Sequence, residues 1–454
     1  MMNVLLISTY EMGRQSFGLA SPAAWLRETG AVVTCVDVTR QEFPEAFAAT
    51  ADLVAWYLPM HTATRLAVPF IQKVKALNSQ AHLCCYGLYA TLNTDYLTGL
   101  GVKTVLGGEF ESDLVSLVAH LNDKKDASLP HTPGTQLSRL DFRVPDREGL
   151  PALSRYASLR TSDGLRRVVG YTEASRGCKH LCRHCPVVPV YRGRFRIVAP
   201  QVVLADIRNQ VEAGARHITF GDPDFFNGIR HAMSVVEGLN REHPDISYDV
   251  TIKIEHLLTY ADCLHKLRET GCLFVTSAVE SLDDKALLAL DKGHTRADFE
   301  KAVHLCADAE LALAPTFIAF TPWTTLTSYC ELLESIATLG LIDAVAPIQL
   351  GIRLLITRES RLLTLPEIKS LIGPYDSERL IYPWLHPDPR VDALQEAVMQ
   401  LIGNRLSASR SEIFDAIWTI AHGRSGLPIA DITHSAPMIQ VRAAVPYLNE
   451  PWYC

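Results

Sequence analysis

The strongest constraint on this chain is the stretch Ser175-Arg176-Gly177-Cys178-Lys179-His180-Leu181-Cys182-Arg183-His184-Cys185-Pro186, which places three cysteines within eight residues. Thiols at C-x3-C-x2-C spacing on one tight loop can direct three sulfurs to three corners of an iron–sulfur cube, leaving one iron without a protein ligand. Zinc is the competing occupant; it would call for a fourth ligand, and His180 and His184 lie in the same loop. Three unrelated core thiols would have no reason to gather around glycine, arginine and two histidines. The loop therefore predicts a metal centre, which the rest of the fold has to present.

The full spacing, the preceding Ser-Arg-Gly and the following Pro resemble the signature of the radical S-adenosylmethionine (SAM) superfamily. The resemblance implies a 4Fe–4S cluster on Cys178, Cys182 and Cys185, with the amino and carboxylate groups of SAM on the open iron. It also implies a one-electron reductant such as flavodoxin or ferredoxin.

Short apolar runs alternate with amphipathic segments along most of the chain, the pattern of parallel strands joined by helices. Strands are expected at 168–172, 218–220, 248–254, 273–277, 314–320 and 344–350, an α/β partial (β/α)6 barrel over residues 165–356 with its chemistry at the strands' C-terminal ends. Pro200 and Gly214 punctuate the helix after the cysteine loop. A second series, with strands at 4–7, 32–36, 53–57, 83–86 and 102–106, reads as a doubly wound, Rossmann-like domain over 1–126. Ser21-Pro22 is expected to start its first helix and Gly30 to end it. Residues 127–164, with Pro130, Pro133, Pro145 and Pro151, read as a linker. Residues 357–454 read as a mainly helical extension, with helix at 365–371 and 391–420.

The order of the first domain and its ending, Leu106-Gly107-Gly108-Glu109-Phe110-Glu111-Ser112-Asp113-Leu114, resemble the cobalamin-binding domain that precedes many radical SAM barrels. Asp-x-His-x-x-Gly, which supplies cobalamin's lower ligand in many such domains, is absent. The expectation is a scaffold packed on the barrel, with cobalamin left open.

With 454 residues, 48% of them apolar, the chain can bury a large core in two or three domains. A net charge of −7 argues against nonspecific nucleic-acid binding and leaves Arg192, Arg194 and Arg196 as a local basic run. No apolar stretch is long enough to span a membrane, and the first apolar run is too short for a signal peptide. Eleven cysteines, an odd count, and a site that needs reduced thiolates point to the cytoplasm.

Candidate SAM contacts sit at the expected strand ends. In Gly221-Asp222-Pro223-Asp224, Asp222 and Asp224 are the candidate partners of the SAM ammonium, Asp222 foremost, with a plain turn as the alternative. Glu280, in Ser277-Ala278-Val279-Glu280-Ser281, resembles the family's Gly-x-Glu-Ser segment and suits the two ribose hydroxyls, or else caps the next helix. Lys253 and Glu255 are expected on one face of the third strand by its two-residue period. Ile318 and Phe320 are the candidates to flank adenine through their backbone. Arg353 is the candidate for the SAM carboxylate, or a surface ion pair. Cys263, Cys272, Cys306 and Cys330 read as core residues.

The terminal Asn449-Glu450-Pro451-Trp452-Tyr453-Cys454, together with the domains before it, resembles radical SAM proteins with a Cys-Cys-Ala-Glu-Pro or Cys-selenocysteine-Ala-Glu-Pro tail, of which only the first cysteine is present. That group includes the enzyme that starts arsinothricin biosynthesis by joining the aminocarboxypropyl group of SAM to trivalent arsenic. The resemblance implies a small-molecule substrate, arsenite, with Cys454 as a soft thiolate to hold it. The alternatives are a cobalamin-dependent methyltransferase, a 5'-deoxyadenosyl-radical enzyme, and, outside catalysis, an iron–sulfur electron carrier or metal sensor.

Overall fold

A computed structural model describes residues 1–123, 135–161, 166–405 and 408–427. The first sheet holds β1 (Asn3–Ser8), β2 (Val32–Asp37), β3 (Leu53–Tyr57), β4 (His82–Tyr86), β5 (Thr104–Gly108) and the two-residue β6 (Thr135–Gln136), all parallel, in the order β2-β1-β3-β4-β5-β6. Its strands read as apolar runs because helices cover both faces, each closing its own buried cluster. The order reverses between β1 and β3, where such a sheet opens a crevice at the carboxyl ends of its strands.

The first helix is Phe17–Glu28 and does not begin at Ser21-Pro22: Ser16 is its N-cap and accepts from the Leu19 N–H. Pro22 therefore sits inside the helix, with no N–H for the Gly18 carbonyl. That carbonyl instead accepts the Tyr86 hydroxyl at 2.9 Å, which is how the interior proline is accommodated.

The second sheet contains β7 (Ser158–Arg160), β8 (Arg166–Thr172), β11 (His217–Phe220), β12 (Ser247–Thr251), β13 (Cys272–Glu280) and β14 (Ala312–Phe317), in the order β14-β13-β12-β11-β8-β7. It is parallel except where β7 runs against β8. A short antiparallel pair, β9 (Ser175–Gly177) with β10 (Phe195–Ile197), stands beside it. The stretch expected as a linker thus lends β6 to one sheet and β7 to the other.

The expected sixth strand at 344–350 does not form. Pro347 has no N–H to give a neighbouring strand, and it opens the short 3-10 helix Pro347–Leu350. The sixth position is taken further along the chain, where Phe320 N–H donates to Ile352 O at 2.9 Å and Leu354 N–H to Phe320 O at 2.8 Å. The half-barrel ends on that single bridge and does not close on β7. The helix expected at 391–420 is two helices, Pro389–Gly403 and Arg410–Ser425, whose Val391, Leu394, Val398, Phe414 and Trp418 join the barrel's own core. No helix among the described residues is long and apolar enough to cross a membrane.

Candidate functional site

The cysteine loop leaves β9 at the C-terminal end of the half-barrel. Gly177 makes the exit possible: its φ is +74°, and a Cβ there would stand 2.3 Å from the Tyr191 ring and 2.5 Å from the Arg194 carbonyl. Asp222, buried after β11, accepts the Ala174 N–H at 2.9 Å and the Ser175 hydroxyl at 2.5 Å, so its carboxylate is spent on holding the strand that enters the loop. The Asn227 amide brackets Cys178, accepting the Lys179 N–H at 3.3 Å and donating to Gly177 O at 3.5 Å. On the far side Arg183 N–H donates to Leu290 O, and Ser360 Oγ to Arg183 O.

Burial pushes the Cys178 thiol up to about 11 and the Cys185 thiol up to about 12, and in each case the neighbouring Cys182 adds to the rise. The free chain therefore holds these thiols protonated at neutral pH, and a metal must displace protons to bind. Three soft sulfurs on one loop suit an iron–sulfur cluster. The zinc alternative keeps one candidate set, since Cys178, His180 and Asp224 bring ligand atoms within 4.8 Å of one another.

Around the loop runs a ring of buried charges. His180 Nε2 lies 3.3 Å from Asp224, and its Nδ1 lies 3.1 Å from Lys253 Nζ. His256 Nδ1 lies 2.6 Å from the same Asp224 oxygen. Burial alone would raise Asp224, yet the two imidazoles beside it hold it down at about 2. On the other side Glu280 accepts from Lys292 Nζ and contacts His184 Nε2, both at 3.2 Å. Here too burial is overcome, first by the Lys292 charge and then by His184, leaving Glu280 at about 2.

A local irregularity aims Glu280 at this ring: the register of β13 against β14 shifts between Ala278 and Glu280, and Glu280 takes φ +71°. Replacing Glu280 by Gln should leave the buried Lys292 ammonium short of its charge partner. The expected cost is about 1–3 kcal/mol in denaturant melts.

The other expected contacts fall as follows. Lys253 and Glu255 are not on a strand face, because β12 ends at Thr251; Lys253 is the N-cap of helix Ile254–Thr259 and Glu255 lies in its first turn. They nevertheless pair at 3.2 Å beside His180. The N–H groups of Ile318 and Phe320 are already used, by Glu280 O and Ile352 O. Arg353 stacks 3.6 Å from the Trp384 ring centroid and pairs with Asp392, on the wall of a cavity of about 470 Å³ shared with His61, Arg65 and Arg379. Cys454 lies outside the described residues. Sequence reasoning missed His256 and Lys292 as site residues.

Arg176, two residues before Cys178, is buried among groups from the first domain. Its guanidinium lies 2.7 Å from Glu111, 3.3 Å from Glu109 and 2.8 Å from Glu173, and donates to Ser21 Oγ at 3.2 Å. The rings of Phe17, Phe110 and Phe142 surround it.

Burial raises Glu109 to about 7 against the pull of Arg176, raises Glu11 to about 8 and raises Asp222 to about 7. Over the window from the ordinary carboxylate range up to these values the folded chain holds protons that the unfolded chain has released, so stability falls as pH rises. The contribution of Asp224 and Glu280 has the opposite sign: it is present above about pH 4.5 and is lost as pH falls towards 2. Buried His61, His82, His231 and His294, whose pKa burial lowers, oppose this trend below about pH 6.5, so melting midpoints of the metal-free protein should drop from pH 7 to pH 8. A midpoint rising over that range would contradict these assignments.

At the crevice of the first sheet, Tyr57 from the end of β3 is wedged against the opening of helix Phe17–Glu28. A Cβ on Gly18 would stand 2.0 Å from the Tyr57 ring, and one on Gly87 3.0 Å from it.

Residues 172–321 match the family model described as the radical SAM superfamily. A tRNA-2-methylthio-N(6)-dimethylallyladenosine synthase from Desulfosudis oleivorans is 27% identical over 182 residues, 37% of this chain and 38% of that protein. Its counterpart from Jannaschia sp. is 24% identical over 42% of this chain and 43% of the relative, so the alignments span less than half of these curated relatives. Among solved structures, the cobalamin-dependent S-adenosylmethionine radical enzyme OxsB, with aqua-cobalamin and S-adenosylmethionine bound, superposes with a TM-score of 0.71 at 14% identity, over 93% of this chain and 71% of that one. The radical S-adenosylmethionine methyltransferase TsrM from Kitasatospora setae, with tryptophan and aza-SAM bound, gives 0.62 at 16% identity, over 75% and 71%. The first superposition covers nearly the whole chain, so the arrangement of a parallel N-terminal sheet followed by a half-barrel is shared with that structure.

Proposed function

Because the chain carries a radical SAM domain, we propose that it cleaves SAM reductively and passes a fragment of it to a small-molecule acceptor. The observation that carries this reading is the cysteine loop leaving β9, whose Cys178, Cys182 and Cys185 would hold a 4Fe–4S cluster; that cluster would supply one electron to the SAM sulfonium when both are bound. The chain's own contribution is placement. Lys292, close enough to Cys182 and Cys185 to feel their charge, offsets the negative charge that three thiolates concentrate there. Lys253 and the half-exposed Glu255 offer opposite charges to a zwitterionic amino-acid end, and Glu280 offers acceptor oxygens to ribose hydroxyls.

In its specific form the fragment is 3-amino-3-carboxypropyl and the acceptor is trivalent arsenic. The support is the tail ending in Cys454 and the affinity of a soft thiolate for As(III). Reduced, reconstituted protein incubated with SAM and arsenite should yield 5'-methylthioadenosine and an aminocarboxypropyl arsenic adduct by mass spectrometry. Finding 5'-deoxyadenosine as the only SAM product, with no arsenic adduct, would overturn this version.

A second reading, cobalamin-dependent methyl transfer, draws on the architecture shared with OxsB and TsrM. Retention of hydroxocobalamin after gel filtration would support it, and its loss would count against it. The methylthiotransferase relatives are named for a tRNA product; a net charge of −7 gives this chain little of the phosphate neutralisation on which RNA binding depends.

A further inference from the structure

We propose that the cavity of about 470 Å³ beside Arg353 is a binding site for a small organic anion, a carboxylate on a flat apolar body, separate from the cysteine loop. Distant stretches of the chain build it: the start of helix His61–Leu77, the edge of the half-barrel at 348–356, the segment 379–384, and helix Pro389–Gly403 through Gln395 and Met399. A pocket of this size at a junction of domains suits a small-molecule ligand.

Its lining is uneven in charge. No Asp or Glu lines it among the described residues, whereas Arg65, Arg353 and Arg379 do. The three arginines are not equivalent. Arg353 is spent within the fold: it pairs with Asp392, donates to Trp384 O at 2.7 Å and lies over the Trp384 ring. Arg65 is exposed, and its side chain makes no hydrogen bond or ion pair among the described residues. Arg379 is exposed too, and the carboxylate that approaches it, Asp376, stays 3.8 Å from its Nε.

The fold ties the two available arginines together. His61 and Arg65 stand four residues apart, on one face of their helix. Buried His61 places Nε2 2.6 Å from Arg379 O, an oxygen that can only accept, so this nitrogen carries the proton and donates. Two exposed guanidiniums on an acid-free cavity suit a carboxylate, which each can meet with paired N–H donors. The remaining wall is largely apolar, with Leu354, Ile356, Tyr382, Trp384 and Met399. An amphipathic anion satisfies both parts. Trivalent arsenic has no such body, so this ligand is additional to the proposed acceptor. The wall also reaches the cysteine loop, because Leu354, Ile356 and Trp384 share a buried cluster with Leu290, whose carbonyl accepts the Arg183 N–H.

The test is titration calorimetry of the full-length, reconstituted protein with indole-3-butyrate, using tryptamine, the same ring bearing an ammonium, as the control. It is repeated with Arg65→Gln and with Arg379→Gln, which sit on separate elements. The acid should bind saturably, with an affinity that falls as salt is raised, and tryptamine should bind roughly tenfold or more weakly. Each variant should lose roughly tenfold in affinity for the acid while melting close to wild type, as exposed substitutions do. No saturable binding of the acid, equal binding of acid and amine, or wild-type affinity in either variant would overturn the proposal. Displacement of the acid by equimolar hydroxocobalamin would overturn it as well, by making the cavity part of a corrin site. SAM cleavage does not enter this readout, so a failure of the proposed function and a failure of this site are separate results.

Discussion

Cys182→Ala is expected to abolish SAM cleavage and to strip the protein of cluster iron. Cys182 is the most buried of the three thiols, and it lies close enough to the other two to raise both. Losing a partner outside the ligand shell already costs a metal site ~10–100-fold, so losing a ligand should bring activity below about one-hundredth of wild type. The fold should survive, because trading a thiol for a methyl removes a single heavy atom; about 1 kcal/mol is expected in melts of the metal-free chain. Cys263→Ala, a partly exposed thiol away from the loop, should keep full iron and activity. Iron and sulfide analysis with an EPR spectrum after reduction reads the result. The comparison also separates cluster from zinc: loss of metal on His180→Ala but not on Cys185→Ala would favour the set Cys178, His180 and Asp224.

What the sequence could show of this site follows from range. The cysteine loop was legible because its chemistry lies within one short stretch, and the βα rhythm because strand and helix periods are local. The sixth strand was misread because residues 344–350 are apolar enough for a strand, while Pro347 makes the ladder untenable there and Arg353 supplies the bridge. Ser21-Pro22 looked like a helix start because proline favours a first turn. Only the distant Tyr86 hydroxyl reveals why proline is tolerated one turn later. Lys253 and Glu255 were brought together for the wrong reason, a strand period, when a helix start places them.

The charge ring was invisible for a related reason. Asp224 and His256 follow the neighbouring strands β11 and β12, and Glu280 and Lys292 flank the helix Asp284–Leu290, so pairing of strand ends and the return of one helix bring them together. Asp222 and Asp224 stand two residues apart yet are opposites. Asp222 is pushed up by burial although it accepts from Ser175 and Ala174, whereas two imidazoles hold Asp224 down. Sequence spacing carries no sign for such shifts, because the partners that set them come from distant parts of the chain.

Arg176→Met is expected to destabilise the fold strongly. The guanidinium is the cation that Glu109, Glu111 and Glu173 share in a buried pocket, and it also meets Ser21 from the first helix. Removing one partner of a buried charge network costs about 3–5 kcal/mol, because the remaining charges are left uncompensated in a medium that solvates them poorly. Burial already lifts Glu109 to about 7 and raises Glu173 against the pull of Arg176, so without the arginine these two carboxyls should take up protons. The loss should accordingly be larger at pH 8 than at pH 5, where protonation relieves part of the repulsion. Arg176→Lys should fall in between, since one ammonium cannot match a fork that reaches three carboxylates and stacks among Phe17, Phe110 and Phe142. Adding Glu109→Gln to Arg176→Met should recover part of the stability, and that recovery measures the coupling between the first domain and the cysteine loop. Urea melts at the two pH values, with and without the second substitution, decide it; equal losses at pH 5 and pH 8 would show that Arg176 serves as packing, not as the counter-charge of the interface.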